Sequence, residues 1–261
     1  MKRILKLLLS VSIFFIFISV SSFISFGASA MDYFYEGNNF INSGKYLEAI
    51  DSYDKAIKIN PDIPEFHYNK AIALYNLGRY DEAIAQYDQV IKLNSKFKEA
   101  YINKALCLTE TSRFDESITL LDEYIKKYPN DAEGYALKGH NLLLKGSYSE
   151  ALEMAQKVID IKPKDKSILS MAYSTKSSAL NELGRVDEAL EACKAALELD
   201  NTNANAYIAM GYSFYIQKKY DEAIEMCNKA IEVMPNCVEA YMNKSVFLTK
   251  KEIRRSNRVL Q

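Results

Sequence analysis

The chain has 261 residues, 33 Lys and Arg against 34 Asp and Glu, a formal charge of −1, and 49% hydrophobic residues. A balance this close to neutral lacks the basic footprint that general nucleic-acid affinity needs. With two histidines and nine glycines, little is left for metal clusters or phosphate-cradling loops, and the composition points away from an enzyme.

The first thirty residues differ from the rest. Lys2, Arg3 and Lys6 precede an apolar run from Leu7 to Phe26, which closes on Gly27-Ala28-Ser29-Ala30. A basic start, an apolar stretch and small residues before Met31 read as a secretory signal peptide over 1–30. The alternative is an uncleaved membrane anchor, since about 20 apolar residues suffice to cross a bilayer. Either reading leaves the basic end inside and places the remainder outside, extracellular or at the cell surface. Cleavage would remove Lys2, Arg3 and Lys6 and no acidic residue, taking the formal charge from −1 to −4. Lys outnumbers Arg and Trp is absent, a usage expected of an AT-rich bacterial genome.

From residue 30 a motif returns. It reads GKYLEAI at Gly44, GRYDEAI at Gly78, SRFDESI at Ser112, GSYSEAL at Gly146, GRVDEAL at Gly184 and KKYDEAI at Lys218, in steps of 34, 34, 34, 38 and 34 residues. Such a period marks a solenoid of helix pairs, none of which buries its apolar face alone. Eleven residues upstream of each motif stands an aromatic (Tyr33, His67, Tyr101, Tyr135, Tyr173, Tyr207 and, in a seventh copy, Tyr241), with Phe or Leu seven residues on. Spacings of four and seven place Tyr101, Ala105 and Leu108 on one stripe of a first helix.

The Gly position predicts a turn, and a second helix starts after it. Asp81, Asp115, Asp187, Asp221 and Ser149 suit its N-cap, and Glu in all six copies suits the dipole of its first turn. The recurring Asp-Glu pairs are therefore start signals, not acid–base couples. Pro61, Pro129, Pro163 and Pro235 stop the second helix in four copies.

Over residues 30 to about 251 this pattern resembles the tetratricopeptide repeat (TPR) family: aromatic at position 4, small at 8, apolar at 11, Gly at 15, Tyr at 17, Ala at 20 and Pro at 32. The resemblance implies an all-α, right-handed solenoid of six helix pairs, at about 30–63, 64–97, 98–131, 132–165, 170–203 and 204–237. A partial seventh unit or capping helix follows at 238–251, then a basic tail at 252–261. Departures are Lys at position 7 (Lys70, Lys104, Lys138, Lys176), where the family carries Leu, and four extra residues within KPKDKSILSM that lengthen a helix or a loop. The lysines read either as a ladder for an anionic partner or as stems lying over apolar surface with the ammonium in water.

By resemblance, positions 2, 5, 9, 12 and 13 of the first helices face a concave groove that binds an extended peptide or a helix of another protein. In this chain the candidates are Tyr68, Ile72, Tyr75 and Asn76, then Ile102 and Leu106, His140, and Ile208, Tyr212 and Tyr215. Tyrosines combine contact area with one hydroxyl and anchor peptides well; the alternative is that these side chains pack against neighbouring helices. The clamp that some relatives use for a C-terminal carboxylate is absent, because position 5 carries Phe34, Tyr68, Ile102, Ala136, Ser174, Ile208 and Met242. His67, at the aromatic position, reads as a packing residue. No metal-ligand spacing and no cofactor motif appear. Cys193 and Cys227 fall on equivalent helices about 10 Å apart, too far for a disulfide, which needs Cα atoms within about 7 Å. The four cysteines read as small buried hydrophobes. The expected function is a non-enzymatic, exported interaction scaffold. Its alternatives are a membrane-tethered assembly or regulatory subunit and a glycan-binding accessory of a cell-wall enzyme.

Overall fold

A computed structural model describes residues 28–259, which form thirteen helices and, among those residues, no strand. Two compact units are present, one reaching to Arg79 and one starting at Tyr80. The first holds α1 (Ala30–Asn42), α2 (Tyr46–Ile59) and α3 (Pro64–Asn76). The second holds α4 (Tyr80–Leu93), α5 (Lys98–Glu110), α6 (Phe114–Lys127), α7 (Ala132–Lys145), α8 (Tyr148–Ile161), α9 (Lys166–Glu182), α10 (Val186–Leu199), α11 (Ala204–Ile216), α12 (Tyr220–Val233) and α13 (Val238–Val259). The fold is the all-α stack of helix pairs that the period requires. The apolar run at 7–26 lies outside the described residues, and no described helix is long and apolar enough to cross a membrane.

One turn closes the first helix of each of the first six repeats. The backbone N–H of Lys45, Arg79, Arg113, Ser147, Arg185 and Lys219 donates to the position-11 carbonyl five residues earlier, at 2.8–2.9 Å. This six-to-one bond forces positive φ on the residue before the donor. Gly44, Gly78, Gly146 and Gly184 take it at 70°, 72°, 85° and 74°. Ser112 and Lys218 adopt it as well, at 57° and 61°, although a Cβ there costs about 1–2 kcal/mol.

The N-caps of the second helices lie two residues earlier than the capping pattern suggests. Their N-caps are Arg113, Ser147, Arg185 and Lys219, and none of these side chains makes a cap bond. Asp115, Asp187 and Asp221 therefore sit in the first turn, where the helix dipole still favours them. They also accept from the next repeat, as in Lys145 to Asp115 at 2.5 Å and Gln217 to Asp187 at 3.1 Å.

In four repeats the polar tip of the position-4 ring ties the repeat to the loop before it. The hydroxyls of Tyr101, Tyr135 and Tyr207 donate to the carbonyls of Ser95, Pro129 and Asn201, six residues upstream, at 3.1–3.3 Å. His67 makes the equivalent contact from Nε2 to the Pro61 carbonyl at 2.9 Å, so it stands in for a tyrosine. Position 8 is small because the second helix crosses there. A Cβ on Gly139 would lie 3.2 Å from Met154 Cβ, and one on Gly211 would lie 3.2 Å from the Ala223 carbonyl.

Two irregularities resolve clearly. The four extra residues lengthen a helix: α9 has 17 residues, against 13 in α5 and α11, and starts on the Asp165 cap, whose side chain accepts from Ser167 N. The tail expected at 252–261 is not a separate segment, because residues 252–259 prolong α13 without a break. All four cysteines are buried free thiols. Burial pushes the Cys107 and Cys193 thiols up to about 12 and Cys227 to about 11, which leaves them unreactive.

Candidate functional site

At 3.6 residues per turn, positions 2, 5, 9, 12 and 13 of a first helix share one face. In the second unit that face lines a cleft of about 450 Å³. Its walls are His140, Leu143 and Leu144 from α7 with Tyr148 from α8, and Asn205, Ile208, Ala209 and Tyr212 from α11. The floor is α9, with Met171, Ser174, Thr175, Ser178, Asn181 and Glu182, and α13 adds Glu239 and Asn243. Small hydroxyl side chains on α9 make the space that the larger flanking residues enclose.

The cleft brings together three of the ten expected residues, His140, Ile208 and Tyr212. Ile102 is buried in α5 and Leu106 is half-buried there; neither reaches the cleft lining. Tyr68, Ile72 and Tyr75 are half-buried along α3 of the first unit. Asn76 beside them is exposed, its Nδ2 donating to the Ile72 carbonyl at 2.8 Å. Ser178, Asn181, Glu182, Asn205, Glu239 and Asn243 were missed, although the same position rule, carried into the fifth and seventh repeats, reaches most of them.

Tyr215 belongs to a joint. Position 12 of one first helix meets position 10 of the next throughout the second unit: the Thr109 hydroxyl donates to Asn141 Oδ1 at 2.8 Å, and the Ser213 hydroxyl donates to Asn181 Oδ1 at 2.8 Å. Leu143 packs against the cluster of Leu142, Ala151 and Ala179, and Tyr215 stacks on Phe247 with ring centres 4.8 Å apart. Tyr215 thus holds α11 to α13, and only through its stacking on Tyr212 at 6.0 Å does it touch the cleft.

The cleft lining carries two carboxylates and no Lys or Arg. Burial raises the carboxyl of Glu239 above its usual range. Burial lowers His140, against a smaller opposing pull from Glu110, so the ring is neutral near pH 7. Burial and then the charge of Glu182 raise the Tyr212 phenol. The position-7 lysines form no free ladder: their stems are largely covered, but their ammoniums end on neighbouring side chains and not in water. Lys70, Lys104 and Lys138 pair with Asp54, Asp88 and Asp122 on the preceding second helix at 2.5–2.6 Å. Lys176 instead meets Gln156, the residue at the corresponding place, at 3.0 Å. The ammoniums are used within the chain.

Family models for the tetratricopeptide repeat match residues 68–132 and 108–166, 37–78 and 178–217, and 204–237. This chain belongs to the tetratricopeptide repeat family. Between 37 and 237 only residues 167–177 go unmatched, and they fall on the lengthened α9. Among solved structures, a TPR protein from Parabacteroides merdae shares 17% identity at TM-score 0.68, with 84% of each chain covered. The APC/C hetero-tetramer Cut9–Hcn1 gives TM-score 0.68 at 17% identity, covering 84% of this chain and 43% of that one. YrrB, described as a TPR protein with an unusual peptide-binding site, gives 0.51 at 22% identity over 74% of this chain and 97% of its own. The curated Protein O-mannosyl-transferase TMTC1 of Mus musculus is 37% identical over 65 residues, 25% of this chain and 7% of that protein. The chain thus spans a small fraction of that relative's length. The TPR fold is one of protein–protein interaction scaffolds, whose concave surfaces bind partners.

Proposed function

We propose that this TPR chain is an exported, non-enzymatic scaffold that holds an extended peptide or a short helix of another envelope protein in the cleft between α7, α9, α11 and α13. One observation carries this reading: first-helix residues of four consecutive repeats converge on a single cleft with aliphatic and aromatic walls and a floor of small hydroxyls. Such a floor hydrogen-bonds a backbone, and Tyr148, Tyr212 and Ile208 anchor apolar side chains. The peptide-binding site described for YrrB supports the same reading by analogy of fold. His140, neutral and without a hydrogen-bond partner of its own among the described residues, serves as a wall and not as a base.

A photo-crosslinking side chain at Ser178 in the native host, with mass spectrometry of the products, tests this. The expected result is one dominant partner segment, lost on Tyr212→Ala and absent when the crosslinker stands at exposed Lys157. Equal products at both positions, or none at Ser178, would overturn it.

A second reading, the membrane-tethered subunit, has one observation in its favour. Cleavage after Ala30 would cut inside a formed helix start. Ser29 caps α1, accepting from Asp32 N at 3.2 Å while its own N–H donates to Asp32 Oδ2 at 2.8 Å. Removing such a cap costs about 1 kcal/mol. Intact mass of the native protein separates the two: a chain starting at Met31 ends the tether, and a chain retaining residues 1–30 supports it.

A further inference from the structure

The charge on the cleft says what kind of peptide it selects. Tyr148 stands on one wall, Tyr212 on the other, and Glu182 ends the floor between them. Glu239, from the first turn of α13, adds a second carboxylate, and the lining holds no Lys or Arg. Among the described residues neither carboxylate makes an ion pair or a side-chain hydrogen bond, and no cation of the chain lies over either ring. The cations at the ends of the neighbouring first helices are committed elsewhere. Lys145 pairs with Asp115 at 2.5 Å, Arg185 with Glu188 at 2.6–2.7 Å, and Lys219 lies 5.9 Å over the Phe214 ring. The charge of Glu182 raises the Tyr212 phenol and no cation opposes it. The charge acting on His140 is again a carboxylate, that of Glu110.

Elsewhere the same chain shows what such a trio holds. Lys98 Nζ lies 4.4 Å from the centre of the Tyr128 ring and 2.8 Å from Asp131 Oδ2. The Tyr124 ring stands 5.0 Å from that of Tyr128, and its hydroxyl donates to the same carboxylate at 2.8 Å. Two tyrosines and a carboxylate there take a lysine ammonium of the chain itself, because negative ring faces and a carboxylate attract the same ion. Tyr148, Tyr212 and Glu182 are the same parts, and no side chain among the described residues supplies their cation. We propose, on the reading of this cleft as a peptide site, that Tyr148, Tyr212 and Glu182 seat a basic side chain, Lys or Arg, of the partner's extended segment. An acidic segment meets Glu182 and Glu239 as like charges, and a purely apolar one strips water from Glu182 without replacing it.

Selection of a phage-displayed library of random linear peptides on the full-length protein tests this. Peptides recovered by the parent but not by Ser178→Trp, which fills the cleft, should align on one Lys or Arg flanked by apolar residues. Glu182→Gln should lose the basic preference and keep the apolar one, and Glu182→Lys should turn it toward Asp or Glu. In anisotropy titrations of the strongest such peptide, labelled, replacing its basic residue by norleucine should weaken binding about tenfold, as should Tyr212→Ala in the protein. The loss caused by Glu182→Gln should shrink as salt rises. Glu182 is exposed, so circular dichroism and Tm of its variants should match the parent. Cleft-dependent peptides with no basic position, or with one that Glu182→Gln leaves in place, would overturn this inference and leave the peptide site standing. Recovery that Ser178→Trp does not reduce, or no recovery at all, would remove the peptide site and this inference with it. A dimer seen by light scattering and abolished by Ser178→Trp would give the cleft to a second copy and overturn both.

Discussion

From α4 to α8, each repeat position is filled as its neighbours require. Lys104 and Lys138 reach Asp88 and Asp122, and Thr109 meets Asn141. From α9 to α13 the same positions drift. Lys176 finds Gln156, Lys194 stands where an Asp would be and pairs with Glu191 at 2.6 Å on its own helix, and Met210 replaces the lysine opposite it. Most of the cleft lining comes from this second stretch, including its floor on the helix that carries the insertion, and α7 and α8 supply the remaining wall. Departures from local consistency tend to accompany functional sites, and here they exchange bulk and charge pairing for small hydroxyls and unpaired carboxylates.

The sharpest way to break the comparison is to truncate one position in both stretches. Leu108→Ala in α5 removes a buried side chain and should cost about 2–5 kcal/mol. Leu248→Ala, at the same repeat position in α13, should cost less than about 0.5 kcal/mol because that side chain is exposed. Urea unfolding midpoints of the two variants measure the difference, and equal losses would show that α13 is covered in solution.

Next in size is the joint between first helices. Asn181 is buried, donates to the Ala209 carbonyl at 2.9 Å and accepts from Ser213. Asn181→Ala removes both of these bonds, while the Ser213 hydroxyl keeps its own bond to the Ala209 carbonyl at 3.0 Å, and should cost about 1–2 kcal/mol. Ser213→Ala should cost less, since Asn181 keeps its bond to the carbonyl. A Tm ranking in the opposite order would mean that the joint is not held by this amide.

The cleft adds a pH dependence. Burial holds His140 below its usual 6.5, so below that pH the unfolded chain binds more protons than the folded one. Its contribution to stability is present above pH 6.5 and is lost as pH falls, by up to about 1.4 kcal/mol per unit. Tm should therefore drop further between pH 7 and 5 in the parent than in His140→Gln. Glu239, raised by burial, acts in the opposite sense, so only the difference between variant and parent isolates His140.

Much of this architecture was legible before any coordinates. The six-fold return of Gly-x-Tyr-x-Glu-Ala-Ile placed every turn, and the stripe at positions 4, 8 and 11 placed every first helix, because periodicity is a one-dimensional signal. What escaped needed neighbours in space. Nothing in Lys104 announces Asp88 sixteen residues back on another helix, and Tyr215 read as groove wall until Phe247 was found stacked on it. The floor of the cleft was passed over because Ser174 and Ser178 lack the aromatic character sought in a peptide anchor; their smallness is what opens the space. N-caps shifted by two residues because the Schellman turn, and not an Asp cap, closes the chain before each second helix.

The smallest effect tests what the lysine ladder contributes. Each of Lys104 and Lys138 has a side chain only 19% and 17% exposed, while Asp88 and Asp122 are about half exposed, so the carboxylate keeps much of its water. A double-mutant cycle of Lys104→Met and Asp88→Asn should return a coupling of about 0.2–1 kcal/mol, falling with salt. Lys104→Met alone should be near neutral, because the aliphatic stem that covers its neighbours is preserved. Met210 already makes that exchange within the chain, opposite Lys194, where a lysine at 210 would have met a like charge. A coupling well above this range would mean that the pairs order the stack, and would place the functional contrast between the two stretches in stiffness as much as in shape.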